Sequence, residues 1–370
     1  MRLSKKFILL IGIAVLIIAC KDVINELPNT PFSTTPYNLE IPNTLPPANF
    51  PADNMPTVEG VYLGRMLFYD PVLSADSTQS CSSCHNQALA FTDNGEQFST
   101  GIKGLKGKRN AMPIFNLQWH LDGFFWDGRA DILRHQAIMP IQDPLEMDET
   151  IGNLLVKLNS NEMYKEHFKK AFNADQIDEE LVGKALEQFM NIIISGNSKF
   201  DRVSMGLESF TDQEKVGQLI FNAEAKTVLE ERDPKNPQNF GADCFHCHGN
   251  SLFMRRELLN NGLDSVHTDL GYGGVTGNAS DNGKFKTPSL RNIEKTAPYM
   301  HDGRFKTLEE VIDFYLSGSH GTSPNLDPSM HALQYEVYLS PEHKAALVSF
   351  LMTLTDDTYL TNKEYSNPFK

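Results

Sequence analysis

Cys81-Ser82-Ser83-Cys84-His85 and, farther along, Cys244-Phe245-His246-Cys247-His248 are the two stretches on which the reading of this sequence turns. In each CxxCH the two thiols can add across the vinyl groups of a haem, and the adjoining imidazole can reach the iron from the proximal side. His85 and His248 are therefore the expected proximal ligands, with Cys81, Cys84, Cys244 and Cys247 as the attachment points. His246, inside the second motif, reads as a spacer. Structural zinc and a redox dithiol compete with this reading, because cysteine and histidine also bind zinc. A histidine directly after each pair, in a chain carrying an export signal, disfavours both.

The export signal is at the start. Arg2, Lys5 and Lys6 precede an apolar run from Phe7 to Ala19, which is too short to span a bilayer comfortably but suits a signal peptide. The run ends in Ile17-Ile18-Ala19-Cys20, which resembles a bacterial lipobox, so residues 1–19 are expected to be removed and Cys20 acylated. An uncleaved anchor ending in an incidental cysteine is the alternative. The chain has five cysteines, so the two pairs and Cys20 leave no thiol over. The expected place is the periplasmic side of a membrane, held by lipid.

Losing Arg2, Lys5 and Lys6 takes the formal charge from −14 to −17. That makes nucleic acid an improbable partner, although it would steer a basic electron-donor protein favourably. A solvated acidic surface is the commoner meaning of such a charge.

From Lys21 to about Pro56 the chain is rich in Pro, Asn and Thr and shows no period, so residues 20–56 read as an extended tether. Helical signals dominate beyond it. Asp178 to Ile194 carries one apolar helical face, Thr211 with Glu214 forms a capping box, and Ser340-Pro341 caps a helix running to about Leu354. The expected class is mainly α, with long glycine-rich loops. The halves also echo each other: Trp126-Asp127-Gly128-Arg129 follows the first CxxCH, and His301-Asp302-Gly303-Arg304 follows the second. Duplication of one module gives two cytochrome c domains, 57–205 and 206–356, with a C-terminal tail at 357–370.

With these motifs placed, the chain resembles the bacterial di-haem cytochrome c peroxidase family, which includes MauG, from about residue 58 to 356. The resemblance rests on Arg109-Asn110-Ala111, Phe125 to Ala130, Lys286-Thr287-Pro288-Ser289-Leu290-Arg291-Asn292 and Ala297 to Gly303, in that order. It implies two covalently bound haems c, a peroxidatic one in the N-terminal half and an electron-transfer one in the C-terminal half. It also implies that Glu146 is the acid/base carboxylate of the peroxidatic pocket, with the Gln136 amide beside it and Trp126 between the haems. Asn110, through its side chain, and the carbonyls of Thr296 and Pro298 match an inter-haem calcium site. Such chemistry is sensible, because splitting peroxide requires moving a proton from one oxygen to the other, and a carboxylate can carry it.

Two departures from the family pattern matter. Ile102 falls where many members place a distal histidine, and isoleucine cannot ligate iron. The peroxidatic haem is expected to be open on its distal side even when oxidised, and a low-spin six-coordinate ferric spectrum from it would refute this. Tyr315 falls where the sixth ligand of the C-terminal haem is usually methionine, as tyrosine does in MauG. Leu308, Val311, Ile312 and Tyr315 share one helical face after the Thr307/Glu310 capping box, so the phenol is expected to point inward. A core Tyr315 with Met300 or Met330 as ligand is the alternative.

The resemblance thus implies an oxidoreductase of the cytochrome-c peroxidase type, reducing hydrogen peroxide with electrons from a small redox protein such as a cytochrome c. A MauG-like enzyme that uses peroxide to oxidise aromatic residues of a protein substrate is the alternative. A plain two-haem electron carrier is the non-enzymatic reading, disfavoured by Glu146, Gln136 and an open iron. A homodimer is compatible with the family resemblance.

Overall fold

The computed structural model describes residues 32–93, 95–226 and 241–370. The expected signal peptide, Cys20 and the start of the tether lie outside the described residues. Thr34–Lys370 form one compact unit. Among the described residues no helix is long and apolar enough to cross a membrane.

The class is mainly α, as expected. The helices are α1 (Val58–Tyr69), α2 (Cys81–Cys84), α3 (Leu133–Gln142), α4 (Ile151–Asn159), α5 (Glu162–Phe172), α6 (Glu179–Asn191) and α7 (Lys199–Ser204) in the first half. They are followed by α8 (Asp212–Phe221), α9 (Phe245–His248), α10 (Gly273–Thr276), α11 (Leu308–Leu316), α12 (Pro341–Met352) and α13 (Asp357–Leu360). Among the described residues, strand structure beyond isolated bridges is confined to a two-residue antiparallel pair, β1 (Leu258–Leu259) with β2 (Phe285–Lys286). The capping residues read from the sequence start their helices. Asp178 accepts from the Leu181 amide, the Thr211/Glu214 and Thr307/Glu310 boxes close both ways, and Ser340 accepts from His343.

The duplication is visible in the packing. In the first half α1 crosses α6 at Gly64, where a Cβ would fall inside the van der Waals shell of the Ala185 carbonyl and meet the Phe189 Cβ at 2.8 Å. In the second half α8 crosses α12 at Gly217, where a Cβ would meet the Ala346 carbonyl and the Phe350 Cβ at 2.8 Å. One turn on, Phe68 lies 5.3 Å from Phe189 and Phe221 lies 5.2 Å from Phe350, both pairs tilted by 59°. Phe91 and Phe253 then meet Phe68 and Phe221 edge-on at 6.0 and 5.9 Å. The same crossing has been built twice from the same aromatic set.

Gly64→Ala and Gly217→Ala should each cost at least about 1–3 kcal/mol, because the methyl must push two helix backbones apart. Gly152, on α4 with nothing within 4 Å of its Cβ position, is the control. Gly152→Ala should stabilise by up to about 1 kcal/mol through helix propensity. Urea unfolding of the three variants checks both signs.

The chain does not divide at the expected boundaries. One hydrophobic cluster gathers α1, α3 and α6 with Tyr359, Leu360 and Tyr365 from the end of the chain. The other gathers α8, α11 and α12, with Phe200 of α7 packed against it. The segment after α6 therefore packs on the second half, where Phe200 meets Phe253 at 4.8 Å, and the segment after α12 packs on the first, where Tyr359 stacks on Phe91 at 6.2 Å. Residues 357–370, expected as a tail, complete the first core. Tyr69 Oη donates to the Tyr365 carbonyl at 2.7 Å, and Gln87 donates to the carbonyls of Tyr359 and Asn362.

The two exchanging segments cross at a buried polar knot. Asp356 accepts from the amides of Gly196 and Asn197 at 2.9 and 3.0 Å, and Asn292 joins Ser195 to the Asp356 amide. Asn116 donates to the Ser195 carbonyl and accepts from its amide, and Asn116 and Asn292 are both left-handed, at φ 56° and 59°, a conformation asparagine tolerates better than most residues.

The tether also needs correction within the described residues. The stretch from Thr35 to Thr57 is extended but bound to the body. Pro36 bridges to Thr57, Trp119 donates to the Pro47 carbonyl at 2.9 Å, and Leu45 is buried with Trp119, Ile194, Leu252 and Met254. Its prolines prevent a helix without preventing burial of the apolar residues between them.

Candidate di-haem site

Each CxxCH occupies a single turn of helix followed by a fixed return of the backbone. His85 Nδ1 lies 2.8 Å from the Phe91 carbonyl, and His248 Nδ1 lies 2.8 Å from the Phe253 carbonyl. Phe91 and Phe253 are both left-handed, at φ 56° and 52°, which turns their carbonyls back toward the imidazoles. With Nδ1 hydrogen-bonded to backbone, the tautomer directs the lone pair of each Nε2 to where a metal could take it, the Met112 backbone lying near the His85 ring. Burial keeps both rings neutral, with His248 held down to about 4 and His85 below its ordinary value. Burial also pushes the Cys81 and Cys244 thiols up to about 12, and all four motif cysteines are free thiols. A neutral imidazole directly following two unbridged thiols is the set that covalent haem attachment requires.

The second motif opens on an apolar cavity of about 210 Å³. Cys244, Cys247 and His248 lie on its wall, and Tyr315, Met300 and Met330 line it too. Burial raises the Tyr315 phenol to about 12, while Asn261, donating to its Oη at 3.0 Å, pulls the other way. His320 stacks on the Tyr315 ring at 6.0 Å.

Trp126, Asn110, Thr296 and Pro298 border the same cavity, so three separate family motifs converge there. Trp126 is pinned at both its indole and its backbone. Its Nε1 donates to the Asn110 carbonyl at 2.9 Å, and its own carbonyl accepts from the Lys286 amide at 2.7 Å. The Asn110 amide in turn donates to the His301 carbonyl at 2.8 Å. Arg109 clamps the loop from outside through Asp127 and Asp269. The Asn110 side-chain nitrogen is spent on the carbonyls of Glu96 and Gln97, which leaves its oxygen as the free acceptor.

On the first-half side, Glu146 is half-buried, and its carboxyl is pushed up to about 7 by burial first and by Asp143 second, with Arg129 opposing. Its charge is felt by both Cys81 and Cys84, whose thiols it helps to raise. Ile102 is its backbone neighbour, donating to the Glu146 carbonyl at 2.9 Å. Gly101 is required by this contact, because a Cβ there would collide with the carbonyls of Leu145 and Glu146. Gln136 is half-buried on α3, whose end receives the Met147 and Glu149 amides that follow Glu146.

Sequence reasoning missed Asn261, the Phe91 and Phe253 carbonyls, and Lys286 as a buried amine. Lys286 is held down to about 8 by burial, and its amine donates to the Gly123 carbonyl. Only the left-handed aromatic shared by the two halves carried a signal, as a phenylalanine five or six residues after each histidine.

Residues 58–209 match the family described as di-haem cytochrome c peroxidase. The chain is 33% identical over 301 residues to the cytochrome c551 peroxidase of Nitrosomonas europaea, covering 80% of this chain and 79% of that one. It is 34% identical over 308 residues to the methylamine utilization protein MauG of Methylorubrum extorquens, covering 82% and 80%. Among solved structures it is similar to a MauG-like protein associated with microbial copper homeostasis, with a TM-score of 0.77 and 32% identity over 90% of this chain and all of that one.

Proposed function

The chain belongs to the di-haem cytochrome c peroxidase family, and from that premise we propose that it reduces hydrogen peroxide to water with electrons taken one at a time from a small redox protein. Cys81, Cys84 and His85 would hold one haem, and Cys244, Cys247 and His248 the other. A bound haem supplies an iron that accepts peroxide or passes electrons, according to its ligands. The reading rests chiefly on Glu146, a carboxyl pushed up to about 7 whose charge reaches the first thiol pair and whose backbone pairs with Ile102 rather than with an iron-binding residue.

Glu146 would take the proton from the near oxygen of peroxide and return it to the far one, and two electrons from the redox partner with two protons from solvent complete the reduction to two waters. The Gln136 amide orients the bound oxygens, and the indole of Trp126 lies on the electron route between the two motifs. Tyr315 would hold the iron of the second haem opposite His248's motif, with Met300 or Met330, which line the same cavity, as the competing donors. The Asn110 side-chain oxygen and the carbonyls of Thr296 and Pro298 form an all-oxygen set suited to calcium; without a carboxylate it is a modest one. Each half would form one cytochrome c domain, the first completed by residues 357–370 and the second by the segment after α6. It is held by lipid on Cys20 at the periplasmic side of a membrane.

The MauG-like reading is favoured by one observation, the tyrosine rather than methionine at 315 on the cavity wall. Stopped-flow mixing with peroxide separates the two. A peroxidase consumes peroxide over many turnovers while oxidising a reduced small cytochrome. A MauG-like enzyme does not turn over with any such donor and instead keeps a long-lived oxidised spectrum.

A further inference from the structure

One amide faces both ligand types that could cap the second haem. Asn261 Nδ2 lies 3.0 Å from Tyr315 Oη and 3.8 Å from Met300 Sδ. Its orientation is fixed independently, because Asn261 Oδ1 accepts from the Leu263 amide at 3.2 Å and the nitrogen must therefore face the cavity.

The backbone beneath it is fixed as well. Asn260 is buried, takes the Gly262 amide at 2.9 Å, and donates to Ser323 and the Pro324 carbonyl. Gly262 is left-handed at φ 75°, and a Cβ there would press on His320 at 2.8 Å. Both competing donors are also held in place. Tyr315 is wedged between Phe314 and His320, and Met300 sits at φ 72° in the loop that ends at Gly303.

A donor so placed does not treat its two neighbours alike. An amide N–H is a good partner for a phenol oxygen, more so when that oxygen bears negative charge, and a poor one for a thioether sulfur. We infer that Asn261 is a positioning residue that selects Tyr315 over Met300 as the axial partner of the C-terminal haem. The inference rests on the proposed two-haem reading and deepens it by naming the residue that sets the ligand. Removing the donor shifts the ligand balance toward sulfur by about tenfold or more, the share of a hydrogen bond to a charged group. The haem's reduction potential then rises, because a thioether favours the reduced iron more than a phenolate does.

The test uses the haem-loaded full chain. Asn261→Leu removes the donor at nearly constant shape, and Asn261→Asp replaces it with an acceptor. Tyr315→Phe and Met300→Leu report which side chain is bound. Ferric EPR and electronic spectra identify the ligand, and a redox titration gives the potential.

The expected result is a phenolate-type spectrum for the parent, lost in Tyr315→Phe and kept in Met300→Leu. Both Asn261 variants should move toward the methionine type with a raised potential, and Asn261→Leu combined with Met300→Leu should show neither shift. Unchanged spectra and potentials in both Asn261 variants, with Tyr315→Phe still altered, would overturn the selecting role and leave the ligand assignment standing. A parent spectrum indifferent to Tyr315→Phe would overturn both.

Discussion

Glu146→Gln is expected to lower peroxide turnover by about 10²–10⁴-fold with both haems still attached, the span attributed to a positioned acid/base group. The amide keeps the shape of the side chain and can still hydrogen-bond, but it cannot carry a proton between two oxygens. The pH profile makes the assignment specific. With the carboxyl pushed up to about 7 by burial, the parent's kcat/KM for peroxide should climb as pH rises through 7, because the group must be ionised to accept the first proton. The variant's residual rate should be flat there. A profile that keeps its inflection near 7 in Glu146→Gln would assign that titration elsewhere.

Folding stability supplies a second, opposite-signed readout. A carboxyl raised above its ordinary value contributes stability below that value and loses it as pH rises through about 7. The glutamine variant should therefore gain on the parent between pH 5 and 8 in denaturant titrations. A merely structural Glu146 would lose both activity and stability on substitution, so the two measurements together separate the roles.

Much of the site was legible in the sequence, for a physical reason. Covalent attachment demands CxxCH as consecutive residues, and capping boxes are local, so both survive as patterns in one dimension. Tyr315 could be placed on an inward face by helical period alone. Asn261 could not, because its importance arises from a turn built by Asn260 and Gly262 that brings an amide from β1's end to a phenol on α11. The domain limits misled for a similar reason. Contiguity in sequence suggested a tail at 357–370, whereas Tyr359, Leu360 and Tyr365 are buried in the first core. Nothing local in Asp357 to Lys370 states which half those aromatics will fill. The prolines between Thr35 and Thr57 likewise announce an extended backbone and are silent about what it lies against.

That exchange of segments leads to the second large effect. Arg291→Met should destabilise the protein by about 3–5 kcal/mol, the cost of leaving a buried charge without its partner. Arg291 and Asp201 are both fully buried, paired through two contacts of 2.8 Å, and Arg291 also donates to the Ser251 carbonyl. Asp201 belongs to α7, so this pair rivets the segment following α6 onto the second half. The first half does the corresponding work without charge. Aligned on Asn116 and Asn292, Phe115 stands where Arg291 stands, and it meets Tyr359 of the returning chain end at 5.7 Å.

Two observations would distinguish a buried pair from ordinary packing. Burial pushes the Asp201 carboxyl up, but Arg291 holds it below its ordinary value, so the pair's contribution is present at neutral pH and lost as pH falls through that lowered value. The Asp201 of Arg291→Met has no such partner and protonates more readily, so the gap between variant and parent should narrow in acid. Arg291→Met combined with Asp201→Leu, which removes both charges, should recover most of the loss.

The haem site should feel the single variant too, since Arg291 anchors Ser251 in the turn whose Phe253 carbonyl orients His248. A ferric spectrum of the C-terminal haem that broadens in Arg291→Met and sharpens again in the double variant would tie the exchanged segment to the proximal ligand. An unchanged spectrum alongside the full stability loss would confine the pair to holding the two halves together.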